Sequence, residues 1–140
     1  MSIQQTDVVY TAIATAQNGR DGRVATDDGR LDVVVNPPKA MGGSGDGTNP
    51  EQLFAAGYSA CFQGALGVVA RNENADVSGS TVTAEVGIGK NGDGFGLIVR
   101  ITAAIPNVDA ETAKGLLEKA HQVCPYSKAT RGNITVELAV

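Results

Sequence analysis

The chain has 140 residues, enough for a single domain, 1–140, with one core of its own. Its 11 Lys and Arg against 15 Asp and Glu give a net charge of -4, which argues against nucleic acid or an anionic membrane surface as partner. Two cysteines are too few for a disulfide-stapled secreted scaffold, and the first seven residues show neither a basic start nor an apolar run, so no signal peptide is expected and the compartment reads as cytoplasmic.

Residues 8–16 predict a strand, with Val8, Tyr10, Ala12, Ala14 and Ala16 on one face and an Asn18-Gly19 turn behind it. Residues 23–26 and 31–35 predict a hairpin around Asp28-Gly29. Asn36-Pro37-Pro38 ends its second arm, because proline donates nothing to a ladder. The glycine-rich run 42–47 lacks the lysine of a phosphate-binding loop and reads as a connector.

A helix start follows. Asn49 suits the N-cap, Pro50 the first helical position, and Gln52 at the third can close a box back onto the cap. Glu51 sits in the first turn, where the macrodipole favours negative charge. The uncharged stretch 53–70 reaches the lower length of a membrane span, but Gly57, Ser59, Gln63, Gly64 and Gly67 weaken it and Glu51 and Arg71 flank it. It reads as a buried central helix of a soluble protein, with no membrane partner. On a straight helix Glu51 and Cys61 stand about 15 Å apart, so one copy of the helix cannot bring both to one site.

Alternation then returns. Val82, Ala84, Val86 and Ile88 share one face of a strand, and Phe95, Leu97, Val99, Ile101, Ala103 and Ile105 one face of the next, with 89–94 as a longer hairpin loop. Asp109 caps a second helix that buries Ala113, Leu116, Leu117 and Ala120. Pro125 stops it, leaving Cys124 at its end. Residues 133–140 predict a last strand through Ile134, Val136 and Leu138. The order reads as α+β with mostly antiparallel sheets.

The chemistry-bearing residues are few. Cys61 lies mid-helix and Cys124 in a Val-Cys-Pro-Tyr-Ser segment. One thiolate could attack an oxidant and the other close a disulfide on the oxidised sulfur, if the fold joins them. A mid-helix cysteine can equally be an inert small hydrophobe. His121 and the two cysteines show no Cys-x-x-Cys or His-Glu-x-x-His spacing, so no metal site is expected and His121 reads as a surface or edge residue of its helix. A Gly-x-Ser-x-Gly nucleophile elbow is absent from the sequence.

Three segments carry a resemblance. Residues 48–62, from Thr48-Asn49-Pro50-Glu51-Gln52 to Ser59-Ala60-Cys61-Phe62, resemble the signature helix of the organic hydroperoxide resistance proteins, a branch of the osmotically inducible protein C superfamily. Residues 123–133, from Val123-Cys124-Pro125-Tyr126-Ser127 to Arg131-Gly132-Asn133, resemble the second cysteine region of that family. Gly19-Arg20-Asp21-Gly22-Arg23-Val24 resembles its active-site arginine loop. Asn18 departs from the family pattern where a second glycine is expected, and Lys128 where a smaller amide is expected.

The resemblance implies a cytoplasmic, bacterial, dimeric, thiol-dependent peroxidase acting on organic hydroperoxides. It makes Cys61 the peroxidatic thiol and Cys124 the resolving one. Arg20 would hold the Cys61 thiolate and polarise the peroxide, a task suited to a permanently charged fork of donors, with Glu51 orienting the guanidinium. It implies neither metal nor bound cofactor, and a dihydrolipoamide-type dithiol on a lipoylated protein as reductant. An apolar wall at Cys61 would favour alkyl and fatty-acyl hydroperoxides over hydrogen peroxide. The 15 Å between Glu51 and Cys61 is then most simply reconciled by an intertwined homodimer, in which Glu51 and Arg20 of one subunit complete the Cys61 site of the other; the alternatives to a dimer are a bent helix or a long Arg20 side chain bridging the gap within one chain. The alternatives are a sibling branch of the superfamily with another substrate range and a non-catalytic redox-sensing module.

Overall fold

The computed structural model describes residues 3–140, and the chain divides into two compact units, one running to Pro50 and the other spanning Glu51–Val140.

The first unit is a three-stranded antiparallel sheet in the order β1 (Ala14–Gln17), β2 (Gly22–Thr26), β3 (Asp32–Val35). Asn18 and Gly19 make the β1–β2 turn with positive φ of 59° and 55°, which these two residue types tolerate. The Asp21 N–H closes that turn onto the Asn18 carbonyl at 3.1 Å. The β2–β3 hairpin turns at Asp28-Gly29 as expected. Its Asp28 carboxylate accepts from Thr26 Oγ1 at 2.7 Å and from the Arg30 N–H at 3.0 Å. Arg23 and Asp32 make a two-pronged ion pair across the strands.

The strand expected over 8–16 is shorter and later than its alternation suggests, since only 14–17 pairs. Val8, Val9 and Tyr10 are exposed, and no described strand lies beside them. Alternation sorts side chains onto two faces, but a strand also needs a neighbour for its N–H and C=O groups.

α1 (Pro50–Glu73), all but its first residue in the second unit, is followed there by β4 (Thr81–Asn91), β5 (Gly94–Ala104), α2 (Ala110–Val123), α3 (Pro125–Thr130) and β6 (Val136–Ala139). The sheet order is β4-β5-β6. β4 and β5 are antiparallel from Asn91↔Gly94 to Thr81↔Ala104, so the strands run through Gly89 and turn at Gly92-Asp93. The loop expected over 89–94 is therefore two residues of turn, because strand glycines on an exposed hairpin end keep their ladder bonds. β5 and β6 are parallel, whereas the other strand-to-strand pairs are antiparallel.

Pro50 opens α1 directly after the buried Asn49. The helix buries Tyr58, Phe62, Ala65, Leu66, Val69 and Ala70, one helical face. Against it pack Val99, Ile101 and Ala103 of β5 and Leu116, Leu117 and Ala120 of α2. Its other face shows Ala56, Ala60, Gly64 and Val68 at the surface, so it is buried on one side only rather than all round. By length and composition α1 could cross a membrane, but Phe54, Tyr58, Phe62, Leu66 and Val69 are occupied in the protein core. α2 behaves as its pattern predicts. Asp109 Oδ1 accepts from the Thr112 N–H at 2.7 Å, and that bond holds the carboxyl below its usual range.

Candidate active site

Pro125 cannot continue α2, since it lacks the N–H that would bond back into the helix. The chain therefore leaves the helix at Cys124, whose backbone is extended (φ -61°, ψ 123°) while its N–H still reaches the Ala120 carbonyl at 2.8 Å. A single turn and a half of helix, α3, restarts at once with Pro125 in its first position. Cys124 thus ends one helix and caps the next, with its Sγ accepting the Ser127 N–H at 3.5 Å. α3 was absent from the expected elements. Six residues between a proline and a glycine leave too short a period to read.

The consequence is a cysteine pair. Cys124 is fully buried, Cys61 half-buried on α1, and their sulfurs lie 3.4 Å apart as free thiols. Burial pushes the Cys61 thiol above its ordinary pKa. A backbone hydrogen bond from Tyr126 pulls the other way, and the neighbouring Cys124 adds to the rise. Burial therefore favours the protonated thiol of Cys61, whereas a nearby cation would favour the thiolate.

The Tyr126 ring packs edge-on to Phe54 at 6.2 Å and tilted against Tyr58 at 5.7 Å. It passes so close to α1 that a Cβ on Gly57 would stand 2.7 Å from Tyr126 Oη. The same ring borders a groove of about 550 Å³, lined mainly by Phe54, Leu97, Pro125, Tyr126, Ala129 and Ile134. The wall beside the cysteine segment is therefore apolar and aromatic.

Behind the pair lies a polar cluster that residue patterns alone do not reveal. Tyr58 Oη lies 2.8 Å from Ser127 Oγ and 3.0 Å from Thr130 Oγ1, and His121 Nδ1 lies 2.8 Å from Ser127 Oγ. His121 is thus a half-buried partner of Ser127, at the edge of its helix rather than at the surface. Burial, then the Arg131 charge, lower its pKa from 6.5. The available signal was Tyr58, a hydroxyl-bearing side chain inside a helix that otherwise reads as core. Among the described residues no group of three or more His, Cys, Asp or Glu could hold a metal.

Arg20 sits exposed in the β1–β2 turn of the first unit. Glu51 sits half-buried in the first turn of α1. Since α1 is one continuous helix, the rise of about 1.5 Å per residue keeps Glu51 about 15 Å from Cys61 along a straight axis. The structure joins Cys61 with Cys124 and leaves Glu51 a separate position on the same helix.

A profile of the OsmC-like protein family matches residues 43–139, a span that holds both cysteines, the whole of α1 and the cysteine turn. The chain belongs to the organic hydroperoxide resistance branch of the OsmC-like family. An organic hydroperoxide resistance protein of Xanthomonas axonopodis pv. citri (strain 306) is 50% identical over 135 residues, covering 95% of this chain and 95% of the relative. The crystal structure of an organic hydroperoxide resistance protein from Elizabethkingia anophelis matches with a TM-score of 0.90 at 53% identity, over 96% of this chain and 98% of that one. The organic hydroperoxide resistance protein OhrB of Bacillus subtilis gives a TM-score of 0.86 at 45% identity, over 94% and 98%. The α+β fold with a central helix, expected from the element order, is that of this OsmC-like branch.

Proposed function

We propose that this chain is a cysteine-based peroxidase that reduces organic hydroperoxides to alcohols. The observation that carries the reading is the 3.4 Å approach of Cys61 and Cys124 in a member of this family. In the first step the Cys61 thiolate attacks the distal oxygen of ROOH. The O–O bond breaks, a proton goes to the leaving alkoxide, and ROH and a Cys61 sulfenic acid result. In the second, the Cys124 sulfur attacks the sulfenic sulfur, and hydroxide leaves with the Cys124 proton as water. A dithiol of the dihydrolipoamide type, carried on a lipoylated protein, then reduces the disulfide by exchange. No metal or bound cofactor takes part in this reading.

Arg20 supplies the positive charge that offsets the burial of Cys61, and Glu51 orients the guanidinium. The 15 Å along α1 supports a homodimer in which Arg20 and Glu51 come from the partner subunit. The surface-lying Ala56, Ala60, Gly64 and Val68 face of α1 and the apolar residues Val8, Val9 and Tyr10 offer apolar surface suited to burial in such a dimer. The apolar groove beside Tyr126 favours alkyl and fatty-acyl hydroperoxides, since hydrogen peroxide has no hydrocarbon to bury. The working compartment in this reading is the bacterial cytoplasm.

The test is turnover with dihydrolipoamide. Multiple turnovers of cumene hydroperoxide, much faster than of hydrogen peroxide, are expected. A single stoichiometric oxidation without turnover would point instead to a redox sensor.

A further inference from the structure

Four polar side chains meet where the two cysteine-bearing turns touch. Tyr58 lies one turn before Cys61 on α1, His121 one turn before Cys124 on α2, and Ser127 and Thr130 follow Cys124 on α3. Tyr58, Ser127 and Thr130 are all buried, with Tyr58 and Ser127 at 0% exposure. Polar groups at such a depth cost stability unless every one is bonded, and apolar residues would fill the space more cheaply. Here every one is bonded.

The bonds also form an ordered chain. Thr130 Oγ1 donates to the Ser127 carbonyl at 3.2 Å, so it can accept from Tyr58 Oη at 3.0 Å. Tyr58 Oη can then accept from Ser127 Oγ, which accepts in turn from His121 Nδ1, both at 2.8 Å. Arg131 Nη1 fixes the other side of this turn by donating to the His121 carbonyl at 2.6 Å. The element held in the middle is Ser127, whose N–H lies on the Cys124 sulfur and whose neighbour Tyr126 bonds to Cys61 through its backbone.

We infer that the His121–Ser127–Tyr58 chain is a positioning device that holds Cys124 against Cys61 and so raises the effective concentration of one thiol at the other for disulfide closure. These are positioning residues, since none of them touches a reacting sulfur with its side chain among the bonds described. The inference rests on the thiol mechanism above for its role in turnover. The closure it governs can be measured without peroxide: two protein thiols plus glutathione disulfide give the Cys61–Cys124 disulfide plus two glutathione.

The experiment is the equilibrium of that exchange in wild-type protein and in Tyr58→Phe, His121→Ala and His121→Asn, which yields the effective concentration of one thiol at the other. Tyr58→Phe removes only the hydroxyl and leaves Ser127 bonded to His121 and Thr130 to the Ser127 carbonyl, so the fold is kept. Tyr58→Phe and His121→Ala should each lower the effective concentration about tenfold, the effect of one ordinary hydrogen bond. His121→Asn, which can place an amide where Nδ1 stood, should recover most of it. With peroxide, the two damaging variants should form sulfenic acid at the wild-type rate but show more over-oxidised Cys61 at equal dose. A general loss of stability would not be reversed by asparagine and would not divide the two steps. Wild-type effective concentrations in both Tyr58→Phe and His121→Ala would overturn the inference. If the wild-type protein closes its disulfide with glutathione disulfide but not with an alkyl hydroperoxide, the peroxidase reading fails while this inference is still decided by the exchange data.

Discussion

Gly57→Ala is the most direct probe of how the cysteine segment is seated on α1. In an open helix the change is favourable by about 1 kcal/mol, because alanine loses less backbone freedom than glycine. At position 57 the new Cβ would lie 2.7 Å from Tyr126 Oη and 3.2 Å from both Cε2 and Cζ, inside normal contact. Overpacking of this kind costs about 1–3 kcal/mol. The Tyr126 side chain is the far end of a flexible residue that keeps 40% exposure, so the ring can swing and the cost sits at the low end. The two effects should nearly cancel, and Gly57→Ala should change stability by less than about 1 kcal/mol. In a Tyr126→Ala background the clash is gone and the same change should stabilise by about 1 kcal/mol. Urea unfolding of the four proteins measures the coupling, expected at about 1 kcal/mol or more. If Gly57→Ala stabilises equally in both backgrounds, Tyr126 does not lie on α1 and the seating described for the cysteine turn is wrong.

The remaining predictions concern the chemistry. Cys61→Ser should abolish hydroperoxide consumption, since serine is a poor nucleophile without an adjacent base, while Cys124→Ser should consume about one equivalent and then stall or over-oxidise; both are read by peroxide assay and intact mass. Arg20→Ala should leave the Cys61 thiol at the raised pKa its burial imposes, so alkylation at neutral pH slows; Arg20→Lys should recover only part, and an unchanged alkylation profile in Arg20→Ala would remove the residue from the mechanism. Mixing Cys61→Ser with Arg20→Ala subunits should restore activity if the site is shared between chains, because one of the two sites is then intact. His121 has a folded pKa below its unfolded value, so the unfolded chain binds the extra proton and stability falls as pH drops from 6.5 through the folded pKa. His121→Asn should flatten that acid limb in urea midpoints measured across pH, and an unaltered limb would exclude His121 as its source.

Local signals were legible wherever one or two residues dictate the backbone. Asn18-Gly19, Asp28-Gly29, Pro50 and Asp109 each stand at the turn or helix start their chemistry demands. The four buried positions of α2 follow from a 3.6-residue period over a full helix. What was not legible depends on partners distant in sequence. The pattern over 8–13 promised a strand, and only the absence of a described neighbour shows otherwise. Glycines at 89 and 94 suggested a loop, yet the register of β4 on β5 carries the ladder through to Asn91. The parallel placement of β6 depends on how α2 and α3 return the chain. The cysteine pair itself spans 63 positions, and nothing local at Cys61 or Cys124 states that the sulfurs meet. Motif likeness pointed to both residues, but the 3.4 Å between them is a property of the packed α1, α2 and α3. Tyr58, Ser127 and Thr130 were missed for the same reason, since a buried hydroxyl is recognised by its partner and not by its neighbours in the chain.

The four-residue strand β6 has a consequence for solubility. β5 is the most deeply buried strand of the sheet, with Val99, Ile101 and Ala103 buried on one face, and β6 covers its hydrogen-bonding edge over Val99–Thr102. Undocked, β6 would leave a row of open N–H and C=O groups along a strand rich in β-branched residues, the template on which chains stack into aggregates. In place, it presents a much shorter edge with Glu137 at its centre, in register with Arg100 on the outer face. A charge there discourages another strand from adding on. Substitutions that loosen β6 should therefore appear first as protein lost to precipitation, with the chemistry of the surviving molecules unchanged.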